Sequence, residues 1–207
     1  PGEVIIITDS HTTTHGAFGA FATGVGSTDL ATILMTGKLW FRVPDVIRIQ
    51  LKGTLADNVT AKDAALFILG KLGADFAVYK VIEFSGPTIE AMSVEERMVL
   101  CNMAVEMGAK ATYVQPDRKT VEYVKARTDD PFTIYETDSD FQFESEYGFD
   151  LEKLAPQVAE PPNVDRVKTV RELEGIPIDQ VFIGSCTGGK LTDLEYAARI
   201  LDGKKTA

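Results

Sequence analysis

The stretch Val4-Ile5-Ile6-Ile7-Thr8-Asp9-Ser10-His11-Thr12-Thr13-Thr14-His15-Gly16 leaves this chain few choices. A short β-branched run stops at an acid, a hydroxyl and an imidazole, and glycines then punctuate the chain at 16, 19, 24 and 26. The run predicts a strand buried on both faces, as in a parallel α/β sheet. Ligands of such sheets collect at the carboxyl ends of the strands. Asp9, Ser10 and His11 are therefore expected at a mouth, beside backbone N–H groups of the glycines. The competing reading is a polar turn that merely ends a strand.

The composition narrows the function classes. At 207 residues the chain is long enough for one large or two small domains. A net charge of −10 argues against a nucleic-acid surface, which needs clustered Lys and Arg. Any anionic substrate must then be met by local donors and not by the overall field. Two cysteines far apart in sequence make no disulfide framework, and a reducing, cytoplasmic setting is expected. No apolar run approaches the roughly 18 residues of a membrane span, and no signal peptide is visible. Pro1-Gly2-Glu3 leads directly into a strand that needs neighbours, and the residues from Gly203 onward trail from a helix. Both ends suggest an internal piece of a longer polypeptide.

Local signals place the remaining elements. A helix is expected over 28–36, with Leu30, Ile33 and Leu34 on its buried side and Gly37 ending it. Trp40, Phe41 and Val43 read as packing residues beneath the site. After Pro44, residues 46–51 alternate as a strand with one buried face. Thr60-x-x-Asp63 opens a helix ending at Gly73, with Ala64, Leu66, Phe67, Ile68 and Leu69 apolar, and 78–84 reads as a further strand. Ser93-x-x-Glu96 is a capping box with Met92 as its staple, opening a helix to about 107 that stops at Gly108. Asn102 and Glu106, four apart, share a face near its end. Residues 112–114 form a short strand, and Asp117-x-x-Thr120 starts a helix to about 126. The acidic, aromatic stretch 128–160 is expected to hold strands near 132–136 and 141–149, its charges forming a solvated face. Pro161-Pro162-Asn163 is a second boundary, 171–175 a short helix or turn, 178–184 a buried strand, 185–189 its turn and 191–201 a helix. Cys186 would thus sit between a strand end and a helix N-terminus, where N–H dipoles favour thiolate. A lone Cys in such a turn is equally often a small hydrophobe.

Three strings carry a resemblance. Asp9-Ser10-His11-Thr12 through Gly16-Ala17-Phe18-Gly19-Ala20, with Gly26-Ser27-Thr28-Asp29 following, resembles the aconitase superfamily, most closely its 3-isopropylmalate dehydratase and homoaconitase large-subunit branch. Cys101-Asn102-Met103-Ala104-Val105-Glu106 and Ile183-Gly184-Ser185-Cys186-Thr187 follow in the family's order and roughly its spacing. The resemblance implies aconitase-like three-layer α/β/α domains, incomplete at both ends. Residues 1–43 would be the C-terminal part of a first α/β domain, 44–160 a middle domain and 161–207 the opening of a third.

The resemblance also implies chemistry. Cys186 would be the first of three cysteine ligands of a [4Fe–4S] cluster, the other two lying in a Cys-x-x-Cys pair beyond this chain. The open iron of such a cluster is a Lewis acid for dehydration of a hydroxy acid. Asp9, His11 and Glu106 would be catalytic, with His11 and Asp9 in an acid and hydrogen-bond network and Glu106 orienting the hydroxyl. Ser10 and Asn102 would bind substrate, Asn102 lying against the cluster. Cys101 reads as buried core. The proton-abstracting serine is expected on a separate small subunit with the swivelling domain, and the substrate would be a hydroxy-dicarboxylic or tricarboxylic acid of leucine biosynthesis. Gly188 stands where the family usually has Asn, and Ile7 where Gly is common. His15 favours the isopropylmalate or homoaconitate branch. Two rival classes stay open: a cluster-free α/β or RNA-binding module, disfavoured by the charge, and a cysteine-nucleophile enzyme pairing Cys186 with His11.

Overall fold

The chain opens with two parallel strands, β1 (Val4–Ile7) and β2 (Phe21–Gly24), joined by a 3-10 helix over Ser10–Phe18. The structure is a computed structural model and describes residues 1–204; residues 205–207, the end of the expected tail, lie outside the described residues. β1 is not buried on both faces: Val4 and Ile7 are exposed. Double burial needs layers above and below, and β1 pairs here with one strand only. α1 (Ser27–Thr36) ends at Gly37, whose φ of +68° suits a residue without Cβ. Leu30 and Ile33 are half-buried, but Leu34 is exposed, and so are Trp40 (84%) and Val43. Of the expected packing residues Phe41 packs, edge-on to Phe21 at 5.5 Å and against Tyr79 at 6.1 Å.

The main sheet comprises β3 (Val46–Lys52), β4 (Val81–Ser85), β5 (Ala111–Val114) and β6 (Ser145–Asp150). Its order is β5-β4-β3-β6, and every pairing is parallel. The helices between strands are α2 (Ala61–Leu72), α3 (Pro87–Ala91), α4 (Val94–Met103) and α5 (Arg118–Lys125). Ile47, Ile49 and Leu51 of β3 join Ile82 and Phe84 of β4 on one face, in a core with Ile68 and Leu69 of α2 and Leu100 of α4. The opposite face carries the Arg48–Glu83 ion pair at 3.2 Å, with the Arg48 guanidinium 3.7 Å from the Phe143 ring centre.

Local stop and start signals act as expected. Thr60 with Asp63 and Ser93 with Glu96 form reciprocal capping boxes, and Asp117 accepts the Thr120 N–H. The strand expected over 78–84 starts only at Val81, because Ala77 donates to the Met107 carbonyl and Tyr79 turns the chain at φ +59°. No strand forms over 132–136; the Thr137 hydroxyl instead donates to Glu83, and the Tyr135 carbonyl accepts from Tyr113. The strand in 141–149 is confined to β6, while the Phe141 and Phe143 rings ahead of it meet edge to face at 4.9 Å.

Beyond β6, β7 (Gln157–Ala159) and β8 (Val167–Thr169) form an antiparallel hairpin, with Pro161-Pro162-Asn163 in its connection. It lies on α2, where the Val167 Cβ approaches Gly70 so closely that a methyl group there would sit 2.8 Å away. A short 3-10 turn spans Val170–Leu173. The buried strand expected over 178–184 is absent: Ile178, Val181, Phe182 and Ile183 are exposed, and no strand pairs with them among the described residues. An apolar run without a hydrogen-bonding neighbour has no ladder to join. α6 (Ser185–Gly188) is a single turn, and α7 (Leu191–Leu201) follows.

Candidate active site

The Asp-Ser-His string becomes the first turn of the Ser10–Phe18 helix. Asp9 caps it, its Oδ1 accepting the His11 N–H at 2.7 Å. Thr12 Oγ1 donates to the Asp9 carbonyl at 2.6 Å, and Thr14 Oγ1 to the His11 carbonyl at 2.7 Å. His15 Nδ1 lies 2.9 Å from the Thr12 carbonyl. These side chains all reach back three residues, which favours the tighter 3-10 repeat over an α-helix. The helix is pinned to two neighbours: Thr13 Oγ1 donates to the Cys101 carbonyl at 2.9 Å, and Thr112 Oγ1 to the Thr13 carbonyl at 2.7 Å. Gly16 touches Thr112 so closely that a Cβ would overlap its carbonyl and hydroxyl.

α4 brings the second string to the same place. After Met103 it tightens into a 3-10 turn, Ala104–Met107, ended by Gly108 at φ +83°. Asn102 is 1% exposed, and its Nδ2 donates to Thr14 Oγ1 at 2.8 Å. Glu106 Oε1 lies 3.7 Å from His11 Nε2. The other ring nitrogen, Nδ1, is 3.2 Å from Ser10 Oγ and 3.8 Å from Asp9 Oδ1. His11 thus stands between two carboxylates. Asp9 spends its nearer contact on the backbone, so Ser10 is the closer hydrogen-bond partner of Nδ1. Cys101 points away into the core, and burial pushes its thiol up to about 12, despite the lowering influence of Thr112 and Arg97.

The third string arrives from the far end of the chain. Ser185 adopts φ +65°, a left-handed conformation costly for a residue with a Cβ, and the turn it opens presents Cys186. Cys186 is exposed, and its Sγ lies 3.5 Å from Asn102 Oδ1. Lys190 Nζ donates to the Cys186 carbonyl at 2.9 Å. α7 is tied down by Thr192 Oγ1 to Glu95 at 2.8 Å and by Tyr196 OH to the Asp57 carbonyl at 2.9 Å.

Asp9, Ser10, His11, Asn102, Glu106 and Cys186 therefore gather around the C-terminal end of α4. Cys186 lies on α6, which follows an exposed loop and not a strand end, and contacts with Asn102 and Lys190 tie it down. The connecting threonines, Thr13, Thr14 and Thr112, carried no expectation of a role at the site. For Thr13 and Thr14 the available signal was the consecutive run Thr12-Thr13-Thr14 after an Asp cap; Thr112 had none. Among the described residues no group of three or more His, Cys, Asp or Glu side chains is placed to hold a metal ion. Cys186 offers a single accessible thiol, suited to be one ligand of a centre completed by other residues.

The chain is similar to known proteins along its whole length. A "Probable 3-isopropylmalate dehydratase large subunit" of Methanothermobacter thermautotrophicus is 55% identical over 207 residues, all of this chain and 49% of that protein. The "3-isopropylmalate dehydratase large subunit 1" of Methanopyrus kandleri is 54% identical over 205 residues, 99% of this chain and 49% of that protein. A "Probable methanogen homoaconitase large subunit" of Methanothermobacter thermautotrophicus is 50% identical over 205 residues, 99% of this chain and 49% of that protein. The chain spans about half the length of the curated relatives it matches. The family model described as "Aconitase family (aconitate hydratase)" matches residues 1–174, which hold five of the six gathered side chains, and the chain belongs to the aconitase family.

Proposed function

We propose that this chain is part of the large subunit of a hydro-lyase of the 3-isopropylmalate dehydratase type. The reaction is dehydration and rehydration of a malate derivative, moving a hydroxyl between adjacent carbons, in leucine biosynthesis. One observation carries the reading: side chains from residues 9–11, 102–106 and 186 meet at one end of α4.

The roles follow from placement. The exposed Ser10 hydroxyl donates to a substrate carboxylate. His11, between Glu106 and Ser10, accepts or returns a proton at Nε2, with Nδ1 steadied by the Ser10 hydroxyl. Glu106 orients the departing hydroxyl. Asp9 holds the first helical turn, and so the His11 backbone, in place.

The relatives' family implies a [4Fe–4S] cluster, and the donor set fits it in part. Cys186 is an accessible thiol beside a buried amide, while Cys101 is sealed in the core. One thiol is one ligand of the several cysteines such a cluster needs, so residues outside this chain must complete it. When bound, the cluster supplies a Lewis acid for the substrate hydroxyl and carboxylate. The remaining catalytic groups are assigned to a small subunit carrying the swivelling domain. The net charge gives no support to a nucleic-acid partner, and no helix of the described residues is long and apolar enough to cross a membrane. We place the enzyme in the cytoplasm, and assign 1–43, 44–160 and 161–207 to three successive domains.

Residues 1–207 alone are expected to hold no intact cluster and to be inactive. Expression of this piece, reconstitution with iron and sulfide, and visible absorption spectroscopy test this; a stable cluster with turnover overturns it. Homoaconitase is the second reading, favoured by the 50% identical relative of that name. Turnover of 3-isopropylmalate against homocitrate by the full-length large subunit with its small subunit separates the two.

A further inference from the structure

His11 and Glu106 come from two segments far apart in sequence, and one buried hydroxyl fixes how those segments meet. Glu106 lies on the 3-10 turn Ala104–Met107 that continues α4. An α-helix leaves its last four carbonyls without an intrahelical donor, and Cys101 falls within that set, since α4 ends at Met103. The Cys101 carbonyl accepts the Thr13 hydroxyl at 2.9 Å. Thr13 is 1% exposed, so bulk water does not replace that donor. The Thr13 carbonyl in turn accepts Thr112 Oγ1 of β5 at 2.7 Å. Thr13 therefore bonds α4 through its side chain and β5 through its backbone, two residues after His11.

His11 Nε2 and Glu106 Oε1 stand 3.7 Å apart, beyond ordinary hydrogen-bond length. The pair has no short bond of its own to set its separation, so the backbones on either side must set it. The other tie between these segments, Asn102 Nδ2 to Thr14 Oγ1 at 2.8 Å, joins two side chains, whereas Thr13 grips the α4 backbone itself. A misplacement of about 1 Å at reacting groups costs about 10²-fold in rate. We propose that Thr13 is a positioning residue whose hydroxyl, on the Cys101 carbonyl, sets the separation of His11 and Glu106. This rests on the reading of His11 and Glu106 as catalytic. Serine supplies the same hydroxyl. Valine keeps the shape and leaves the Cys101 carbonyl without its donor in a buried place.

The test uses the full-length large subunit with its small subunit, loaded to equal iron content, with 3-isopropylmalate or homocitrate as substrate, whichever wild type turns over. Thr13→Val is expected to lower kcat at least about tenfold with KM within about twofold, and Thr13→Ser to bring kcat back to within about threefold of wild type. In a Glu106→Gln background the valine substitution should cost less than about twofold, because the separation it disturbs no longer counts. Amide hydrogen exchange of the substrate-free protein gives a reading apart from turnover: Thr13→Val should speed exchange over 10–18 and 104–107 and leave α2 unchanged. Where the valine variant fails to fold, Thr13→Ala decides by the same measures. Wild-type kcat in the folded variant overturns the proposal, as does unchanged exchange over 104–107. A loss that serine does not recover, or that is equally large in both backgrounds, overturns it too. Wild-type kcat in Glu106→Gln, or turnover of neither substrate by wild type, is a separate result that overturns the reading beneath the proposal.

Discussion

Arg97 is the largest fully buried side chain, and its environment defines a testable acid sensitivity. Its Nε donates to the Ile89 carbonyl at 3.0 Å, its Nη1 to Thr120 at 3.2 Å, and its Nη2 to Asp117 at 2.5 Å. Burial disfavours the Asp117 carboxylate, but the Arg97 hydrogen bond and charge and the Thr120 N–H outweigh it and hold the group down at about 2. A carboxyl lowered on folding stabilises fully above its unfolded value and loses that stabilisation as pH falls through the folded value. Asp117→Ala is expected to cost about 2 kcal/mol at pH 7, below the fully buried range because the carboxylate partly meets water. In urea melts of the full-length chain, the gap between variant and wild type should hold down to about the ordinary 3.8 and close toward 2. Gly16 makes a different residue-scale prediction. Gly16→Ala forces a methyl group onto the Thr112 backbone and should cost about 1–3 kcal/mol. Because the displaced helix carries His11, activity should fall more than the melting midpoint does.

At the scale of elements, helix boundaries were legible because their signals are local. Ser93 and Glu96 satisfy each other's backbone N–H groups within one turn, and Gly108 stops the same segment with a positive φ. Ser93→Ala should cost about 1 kcal/mol, measured by chemical denaturation. Strands were less legible. The 46–51 alternation became β3, whereas the apolar run at 178–184 stayed exposed. A strand's hydrogen bonds come from a neighbour that its own sequence does not name. α7 shows the same dependence, being held by Thr192 to Glu95 and Tyr196 to Asp57. Each such bond contributes about 0.5–1.5 kcal/mol. The double variant Thr192→Val, Tyr196→Phe should raise amide hydrogen exchange across 185–201 while leaving α2 and α4 protected.

At the scale of the whole molecule, apolar side chains lie bare at several places among the described residues, and two stretches stand out. Leu34, Met35, Trp40 and Val43 form one, and Ile178, Val181 and Phe182 (82% exposed) the other. Exposed apolar surface of this kind marks contact with something else. Residues 1–207 expressed alone should therefore bind a hydrophobic dye strongly, and the full-length protein weakly; equal binding would contradict this. The main sheet and its α2 and α4 layer carry the buried core and should remain the most protected part in either case.

From its residues alone, this chain determined most of its helix starts and stops and its parallel α/β character. Each depends on groups within a few residues or on the residue types themselves. Only the tertiary structure decided that Trp40 and Phe182 face outward, that the turn bearing Cys186 follows a loop instead of a strand, and that Thr14 links His11 to Asn102. Those outcomes turn on partners distant in sequence. The same threonine hydroxyl could have faced water, and the same apolar run could have joined a sheet, had other backbone been beside them.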